Sequence, residues 1–319
     1  MSRALASTTK SKGFWSTVFR QRELVIMSVP ILLYKILFSY APITGWTMAF
    51  QNYKPAIRNV WEQKWVGFDN FIKLFSGING ERFIRDIINT FGQSFFTLIL
   101  GYVCAITLAL LLNEIRNGPF KRIVQNVSYM PHFLSWIIVA GMVSIMLSEP
   151  ASGGIINDIL MRLHLVKEPI MFLAEPKYFW GIVAGSHLWK ELGWNTIIYL
   201  AAMTAINPSL YEASVMDGAN RYHKMWYITL PGIKSTIVVL LIMSIGMLLE
   251  AGFEIQYFLG NGLVVDRSET IDIFVLRYGI QMGNYSLATV AGIFKTGVSI
   301  TMISLANFIS GRLGEEKLI

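Results

Sequence analysis

Six apolar stretches, each long enough to cross a lipid bilayer, dominate this sequence: approximately Leu24 to Phe50, Thr90 to Leu112, Val127 to Leu147, Tyr178 to Ile206, Ile233 to Leu249 and Leu287 to Ile309. A spanning helix needs about 20 mostly apolar residues rising about 1.5 Å each, and in hydrocarbon every backbone polar group must be satisfied within the segment. The expectation is an all-α integral membrane protein with about six transmembrane helices. Composition agrees, with 54% of the 319 residues hydrophobic and 15% charged, against about 25% charged in an ordinary soluble domain. That balance argues against a soluble enzyme. Cys104, the lone cysteine, lies inside the second stretch and leaves no disulfide framework or thiolate metal site. The first stretch is too long for a signal-peptide core and lacks a small-residue cleavage pattern, so it is expected to be retained. Residues 24–309 are expected to form a single transmembrane domain between an N-terminal segment, 1–23, and a short tail, 310–319.

The net charge of +7 is spread through connecting segments instead of lying on one stripe, which points to orientation in a bilayer and not to nucleic acid. An even number of spans puts both ends on one side. The segments on that side are short and carry Lys10, Lys12, Arg20, Arg22, Arg116, Lys121, Arg122, Arg221 and Lys224, whereas the alternate loops carry Glu62, Asp69, Asp158, Glu168, Asp266, Glu269 and Asp272. Both termini are therefore expected in the cytoplasm. Lys54, Arg58, Lys64, Lys73, Arg82 and Arg85 in the first outer loop temper the bias. Phe14, Trp15, Val18 and Phe19, interleaved with Arg20 and Arg22, fit a helix lying in the inner interface, with a frayed basic tail as the other reading. In the outer loop Gly252 to Tyr285, Gly260-Asn261-Gly262 reads as a turn, and Ile271, Phe274, Val275 and Tyr278 predict a short amphipathic helix.

Catalytic patterns are missing. His132, His164, His187 and His223 show no zinc spacing, and no G-x-S-x-G elbow occurs. Gly292-Ile293-Phe294-Lys295-Thr296 echoes a phosphate loop without its full pattern and sits inside a predicted span. No cofactor or metal is expected on this chain, and uphill movement of a solute would draw energy from a partner or an ion gradient.

The segment between the fourth and fifth stretches reads Asn207-Pro208-Ser209-Leu210-Tyr211-Glu212-Ala213-Ser214-Val215-Met216-Asp217-Gly218-Ala219-Asn220-Arg221 and continues to Ile228-Thr229-Leu230-Pro231. Ser209, three residues before Glu212, is expected to cap a helix in a capping box. Gly218 permits a sharp bend, a second helix can run from Asn220 to Ile228, and Pro231 can open the next span. Glu212-Ala213-Ser214, Gly218, Ile228 and Leu230-Pro231 fit the spacing EAA-x3-G-x9-I-x-LP, the signature of membrane subunits of ATP-binding-cassette (ABC) importers. From about Leu24 onward the chain resembles maltose-type carbohydrate permease subunits. Met130-Pro131-His132-Phe133-Leu134-Ser135-Trp136 and Asp217-Gly218-Ala219 resemble their complex-polysaccharide branch, which includes an alginate importer's permease. Ser214 departs from the commonest alanine, and Trp226 stands where phenylalanine is frequent.

The resemblance implies a type I importer permease in a bacterial cytoplasmic (inner) membrane. It implies a second homologous permease, two ATPase subunits that hold ATP and magnesium and dock on the Glu212 to Pro231 segment, and an extracytoplasmic solute-binding protein that delivers an oligosaccharide. An acidic, alginate-like cargo belongs to the same expectation. The coupling residues carried over are Glu212, Ala213, Ser214, Asp217, Gly218, Ile228, Leu230 and Pro231.

Ionisable groups inside spans are functional candidates, since burying them in lipid is costly. Lys35, Lys190, Glu191 and Lys295 qualify. On the fourth stretch His187, Glu191, Trp194 or Asn195, and Tyr199 recur at about one-turn spacing, a mixture of aromatic faces and polar groups that suits a saccharide passage. An interhelical polar contact or an interfacial aromatic belt is the alternative. Glu250 and Glu254, with Phe253 and Tyr257 interleaved, could face the passage or cap a helix. Lys190 and Lys295 could meet uronate-like cargo, or Lys295 could pair inward with a carboxylate. Gly181 and Gly185 allow a close helix approach, for instance by a partner permease. Two rival classes are an ion-coupled secondary transporter and a membrane-embedded glycosyl-modifying enzyme, for which Glu250 and Glu254 are the only acidic candidates.

Overall fold

The computed structural model describes residues 20–57, 59–152 and 154–312. The expected interfacial helix around Phe14 to Phe19, the basic residues Lys10, Lys12 and Arg58, and most of the tail lie outside the described residues. Helices of six residues or more are labelled in chain order. α1 (Arg22–Lys35) passes without interruption into a π-helical turn, Ile36–Tyr40, and a 3-10 stretch, Ala41–Phe50. Two short antiparallel strands follow, β1 (Gln51–Asn52) and β2 (Lys64–Trp65), with Gln51 opposite Trp65 and Asn52 opposite Lys64. Then come α2 (Asp69–Leu74), α3 (Gly77–Glu114), α4 (Gly118–Tyr129), α5 (Trp136–Met146), α6 (Ile155–Arg162), α7 (Pro176–Met203), α8 (Pro208–Met216), α9 (Lys234–Gly246), α10 (Phe253–Leu259) and α11 (Tyr285–Arg312).

Among the described residues, three helices are long and apolar enough to cross a membrane alone: Arg22–Phe50, Gly77–Glu114 and Tyr285–Arg312. At 38 residues, α3 is about 57 Å long, well beyond a hydrocarbon core of about 30 Å. Its first turns therefore stand outside the bilayer. α7 has the length, 28 residues, but Lys177, Lys190 and Glu191 lower its apolarity.

Two expected spans are bent. The stretch Val127 to Leu147 was expected as one helix; instead Gly118–Phe133 and Trp136–Met146 meet at 102°. Leu134 and Ser135 both take extended backbone, with ψ of 140° and 151°. The break is held from outside: Lys190 Nζ donates to the His132 carbonyl oxygen at 2.6 Å, giving a carbonyl at the turn a partner across helices. The fifth span starts with a 57° bend between Arg221–Gly232 and Lys234–Gly246.

α3 and α7 form the central pair. Ala105, Ala109 and Leu112 of α3 pack on Tyr199, Leu200 and Met203 of α7, with Ile233 closing the cluster. A second core joins Phe83 of α3 to Leu249, Ile271, Phe274, Leu287 and Val290. The expected amphipathic helix of the outer loop is present as Ile271–Phe274 running into π-helical Val275–Gln281, with Ile271, Phe274 and Tyr278 buried. It is tied to α3 by polar contacts: Asn89 Nδ2 donates to the carbonyl oxygens of Asp266 and Glu269 at 2.9 and 3.0 Å, and Ile271 N–H donates to Thr90 Oγ1 at 2.9 Å. α1, by contrast, buries none of its residues.

Candidate functional site

Two features stand apart from the packed body. The first is the bent segment between α7 and α9. The N-cap of α8 is Asn207, whose side chain accepts from Ser209 N–H at 3.0 Å, with Pro208 in the first turn. The expected capping box of Ser209 and Glu212 is thus corrected: Asn at the cap with Pro behind it already satisfies the free donors of the first turn. At the other end Gly218 takes φ +74°. Gly218 N–H donates to Val215 O at 3.1 Å and Ala219 N–H to Ser214 O at 2.9 Å, the paired bonds by which a left-handed residue closes a helix. Asn220 then accepts from His223 N–H at 3.0 Å and starts the next turn, Arg221–Lys224. The second arm, expected as one helix from Asn220 to Ile228, becomes π-helical over Met225–Thr229 before Leu230–Gly232.

The arms are joined through Tyr211 and Thr229, whose hydroxyls lie 2.9 Å apart, Thr229 being fully buried. Ser214, at the position where alanine is commonest, is buried and donates to Tyr211 O at 2.7 Å. Glu212, Ala213, Asp217 and Pro231 are exposed; Ile228 and Leu230 are half-buried. Beside them Met216, Tyr222, Trp226 and Tyr227 are between 67% and 87% exposed. A contiguous bare apolar surface of this kind marks a face that another surface covers.

The second feature is a chain of three cavities. The largest, about 580 Å³, lies among α3, α7, α9 and the residues after α9. His187, Glu191, Trp194, Asn195, Tyr199 and Glu250, all singled out from the sequence, line it. A second, about 520 Å³, is lined by Glu250, Phe253, Glu254, Asp272 and Lys295. A third, about 190 Å³, is lined by Tyr257 with Gln256, Glu269 and Arg277. Glu250 belongs to the first two, and Leu276 to the last two.

Between α9 and α10 the backbone leaves the helix. Gly252 caps α10 at φ +79°, and a Cβ there would lie 2.7 Å from His187 Nε2. Both the backbone angle and the close approach to α7 demand glycine. Non-helical backbone at membrane depth is tolerated where it is buried or lines a wet cavity, and here Met247, Leu248, Glu250 and Ala251 line one.

Lys190 does not face the cavities. It is 5% exposed, bonded to His132 O, 3.2 Å from Glu191 Oε1, with its ammonium 5.2 Å from the centre of the Trp136 ring. His132 Nδ1 lies 2.7 Å from Glu191 Oε2, and its ring stacks on Trp194 at 4.4 Å. Lys295 pairs inward with Asp272 at 2.6 Å, the alternative open to it from the sequence. His132, Asp272, Tyr102 and Ser244 are additions that pattern reading did not assign. Tyr102 and Ser244 join α3 to α9 through hydroxyls 2.9 Å apart, and nothing in their apolar runs signals it.

A body of helices long and apolar enough to cross a membrane, a cavity between them and a bent segment presenting apolar surface fit a membrane transport subunit. Residues 97–315 match the family of binding-protein-dependent transport system inner membrane components. The polygalacturonan/rhamnogalacturonan transport system permease protein YteP of Bacillus subtilis (strain 168) is 40% identical over 307 residues, 96% of this chain and 93% of that protein. A chain of a bacterial ABC transporter involved in import of the acidic polysaccharide alginate superposes with a TM-score of 0.85 at 38% identity, covering 93% of this chain and 98% of that one. A chain of the bacterial alginate ABC transporter in complex with an alginate pentasaccharide-bound periplasmic protein gives 0.86 at 37% identity, covering 96% and 100%. The chain belongs to the binding-protein-dependent transport system inner membrane component family and has the fold of an ABC importer permease.

Proposed function

We propose that this chain is one of two permease halves of an ATP-driven importer that carries an oligosaccharide across the cytoplasmic membrane of a bacterium. With α7 and the two bent pairs counted as spans there are six, an even number that sets both termini on one side, and the Lys and Arg of the connecting segments favour the inner side for them and for the Asn207 to Pro231 segment. Two ATPase subunits, which hold the ATP and magnesium, dock on that segment, a sister permease completes the passage, and an extracytoplasmic binding protein delivers the sugar. The observation that carries this reading is the bent segment itself: a helix closed at Gly218, braced by Tyr211 and Thr229, with Met216, Tyr222, Trp226 and Tyr227 bare beside it. The passage follows the cavity of His187, Glu191, Trp194, Asn195, Tyr199 and Glu250, where aromatic faces can stack on sugar rings and polar groups can meet hydroxyls.

The test is uptake into proteoliposomes holding this chain with the products of its neighbouring transport genes. Uptake of an oligosaccharide that needs internal ATP and the binding protein is the expected result. Uptake that follows a proton or sodium gradient without ATP would replace this reading with a secondary transporter.

A further inference from the structure

One buried acid belongs neither to the passage nor to the bent segment. Asp86 of α3 is fully buried, and neither oxygen of its carboxyl has a hydrogen-bond partner among the described residues. Leu112, near the inner end of α3, lies about 39 Å further along the helix at about 1.5 Å per residue, beyond a hydrocarbon core of about 30 Å. Asp86 therefore sits on the part of α3 that stands outside the bilayer. The face that carries it is the one on which the outer segment, residues 265–281, docks. Asn89 and Thr90, one turn on, bond the segment's backbone at Asp266, Glu269 and Ile271, and the Thr90 hydroxyl donates in turn to the Asp86 carbonyl oxygen at 2.6 Å. Phe274 packs on Phe83 with ring centroids 5.2 Å apart. The segment thus lies over Asp86.

Charges gather along this seam without satisfying that carboxyl. Arg82 Nη1 donates to the Tyr278 hydroxyl at 3.0 Å, Arg85 reaches Asp266 at 2.5 Å and Glu269 at 3.4 Å, and Arg277 holds Glu269 at 2.6 Å. Arg85 Nε is 3.9 Å from Asp86 Oδ1, too far for a hydrogen bond. All three guanidinium groups are engaged by other acceptors, while Glu269 adds a second carboxylate to the same seam. A carboxyl buried without a hydrogen bond and facing like charge keeps its proton. Burial first, and then Glu269, raise Asp86 to about 8, against the opposite pull of Arg85, Arg277 and Arg82. Undocking the segment lets water reach the group, which then ionises near the ordinary carboxylate value of about 4. Between those two values docking takes up one proton, so each unit of rising pH weakens it by up to about ten-fold. Outside that window both states hold the same charge and the dependence levels off.

We propose that Asp86 is a proton-operated latch: the outer segment holds to α3 while this carboxyl keeps its proton and loosens when the proton leaves. The segment walls both outer cavities, with Glu269 and Arg277 in one and Asp272 in the other. A fall in pH therefore steadies the outer wall of the passage, and a rise frees it. The latch goes beyond the importer reading and needs no particular cargo.

The experiment is hydrogen–deuterium exchange of residues 265–281 in the assembled transporter in nanodiscs, from about pH 5.5 to about pH 7.5, corrected for the intrinsic pH dependence of amide exchange. The opening constant of the segment in wild type is expected to rise at least about ten-fold over that range, while amides around Ala105, Ala109 and Tyr199 in the α3–α7 core stay unchanged. Asp86→Asn, uncharged at every pH, is expected to flatten the dependence. Asp86→Leu, which needs no hydrogen bond, serves if the amide variant does not assemble. A flat profile in wild type overturns the latch, as does a slope that survives in the variants, which would place the proton on another group. A rise shared equally by the α3–α7 core overturns it too, because the whole fold and not this seam would then be titrating. Saccharide uptake that needs no ATP would overturn the importer reading and leave the latch standing.

Discussion

At Lys190 the sequence shows a cation inside an apolar helix, and the structure shows why it is tolerated. Its ammonium has His132 O at 2.6 Å and Glu191 Oε1 at 3.2 Å, so the charge is paired and hydrogen-bonded as burial demands. Replacing it with methionine keeps the volume but takes the ammonium from the His132 carbonyl and from Glu191 Oε1, leaving Glu191 only its contact with the His132 ring. Lys190→Met should destabilise the assembled transporter by about 1–3 kcal/mol, read as a lowered thermal unfolding midpoint in lipid. An unchanged midpoint would mean that the contact does not hold the bend. That Lys190 needed a partner was legible from the sequence, because an unpaired intramembrane cation is too costly to leave alone. Which partner was not, since His132 lies 58 residues away, in a 3-10 turn that Pro131 alone signals. Glu250 was legible as a candidate for the opposite reason: a carboxylate beside Gly252 at the end of an apolar run marks where a helix stops.

Among the elements, the bent segment was the most readable, because its signals are local. Glycine acts within a turn of its own position, so Gly218 gave the bend between two helical arms directly, whereas Pro231, expected to open the fifth span, lies in Leu230–Gly232, before the 57° bend, and the span helix starts at Lys234. The error at Ser209 has the same local origin: Asn207 competes for the same donors from two residues earlier and wins. The π-helical turn over Met225–Thr229 was not legible, since it places Thr229 against Tyr211, an interaction across the two arms. Tyr211→Phe removes that bond and leaves the buried Thr229 hydroxyl with Lys224 O at 3.3 Å. A loss of about 1 kcal/mol is expected, seen as weaker stimulation of ATP hydrolysis by saccharide with assembly intact. Stimulation equal to wild type would show that the arms need no brace. The break in the stretch Val127 to Leu147 escaped for a related reason. Its hydrophobicity is continuous apart from Pro131, and the contact from α7 that meets the turn, Lys190 on the His132 carbonyl, lies far off in sequence.

For the whole molecule, length and apolarity identified the membrane body but not its surroundings. α1 buries nothing within the chain, and Gly181 and Gly185 leave an open face on α7, surfaces that lipid or a sister permease would cover. Transmission from the inner segment to the cavity has a direct route in this fold. α8 follows α7, which lines the cavity, and Leu230–Gly232 leads into α9, which lines it from the other side. A push on the bent segment therefore moves two walls at once, provided that its helix is closed firmly at Gly218. The most direct test is saccharide-stimulated ATP hydrolysis by the assembled transporter in lipid, comparing wild type with Gly218→Asp. Aspartate adds a side chain at a left-handed backbone position and a charge on the docking face. The coupling account predicts that stimulation collapses in the variant while the subunits still copurify; stimulation and uptake at wild-type levels would contradict it.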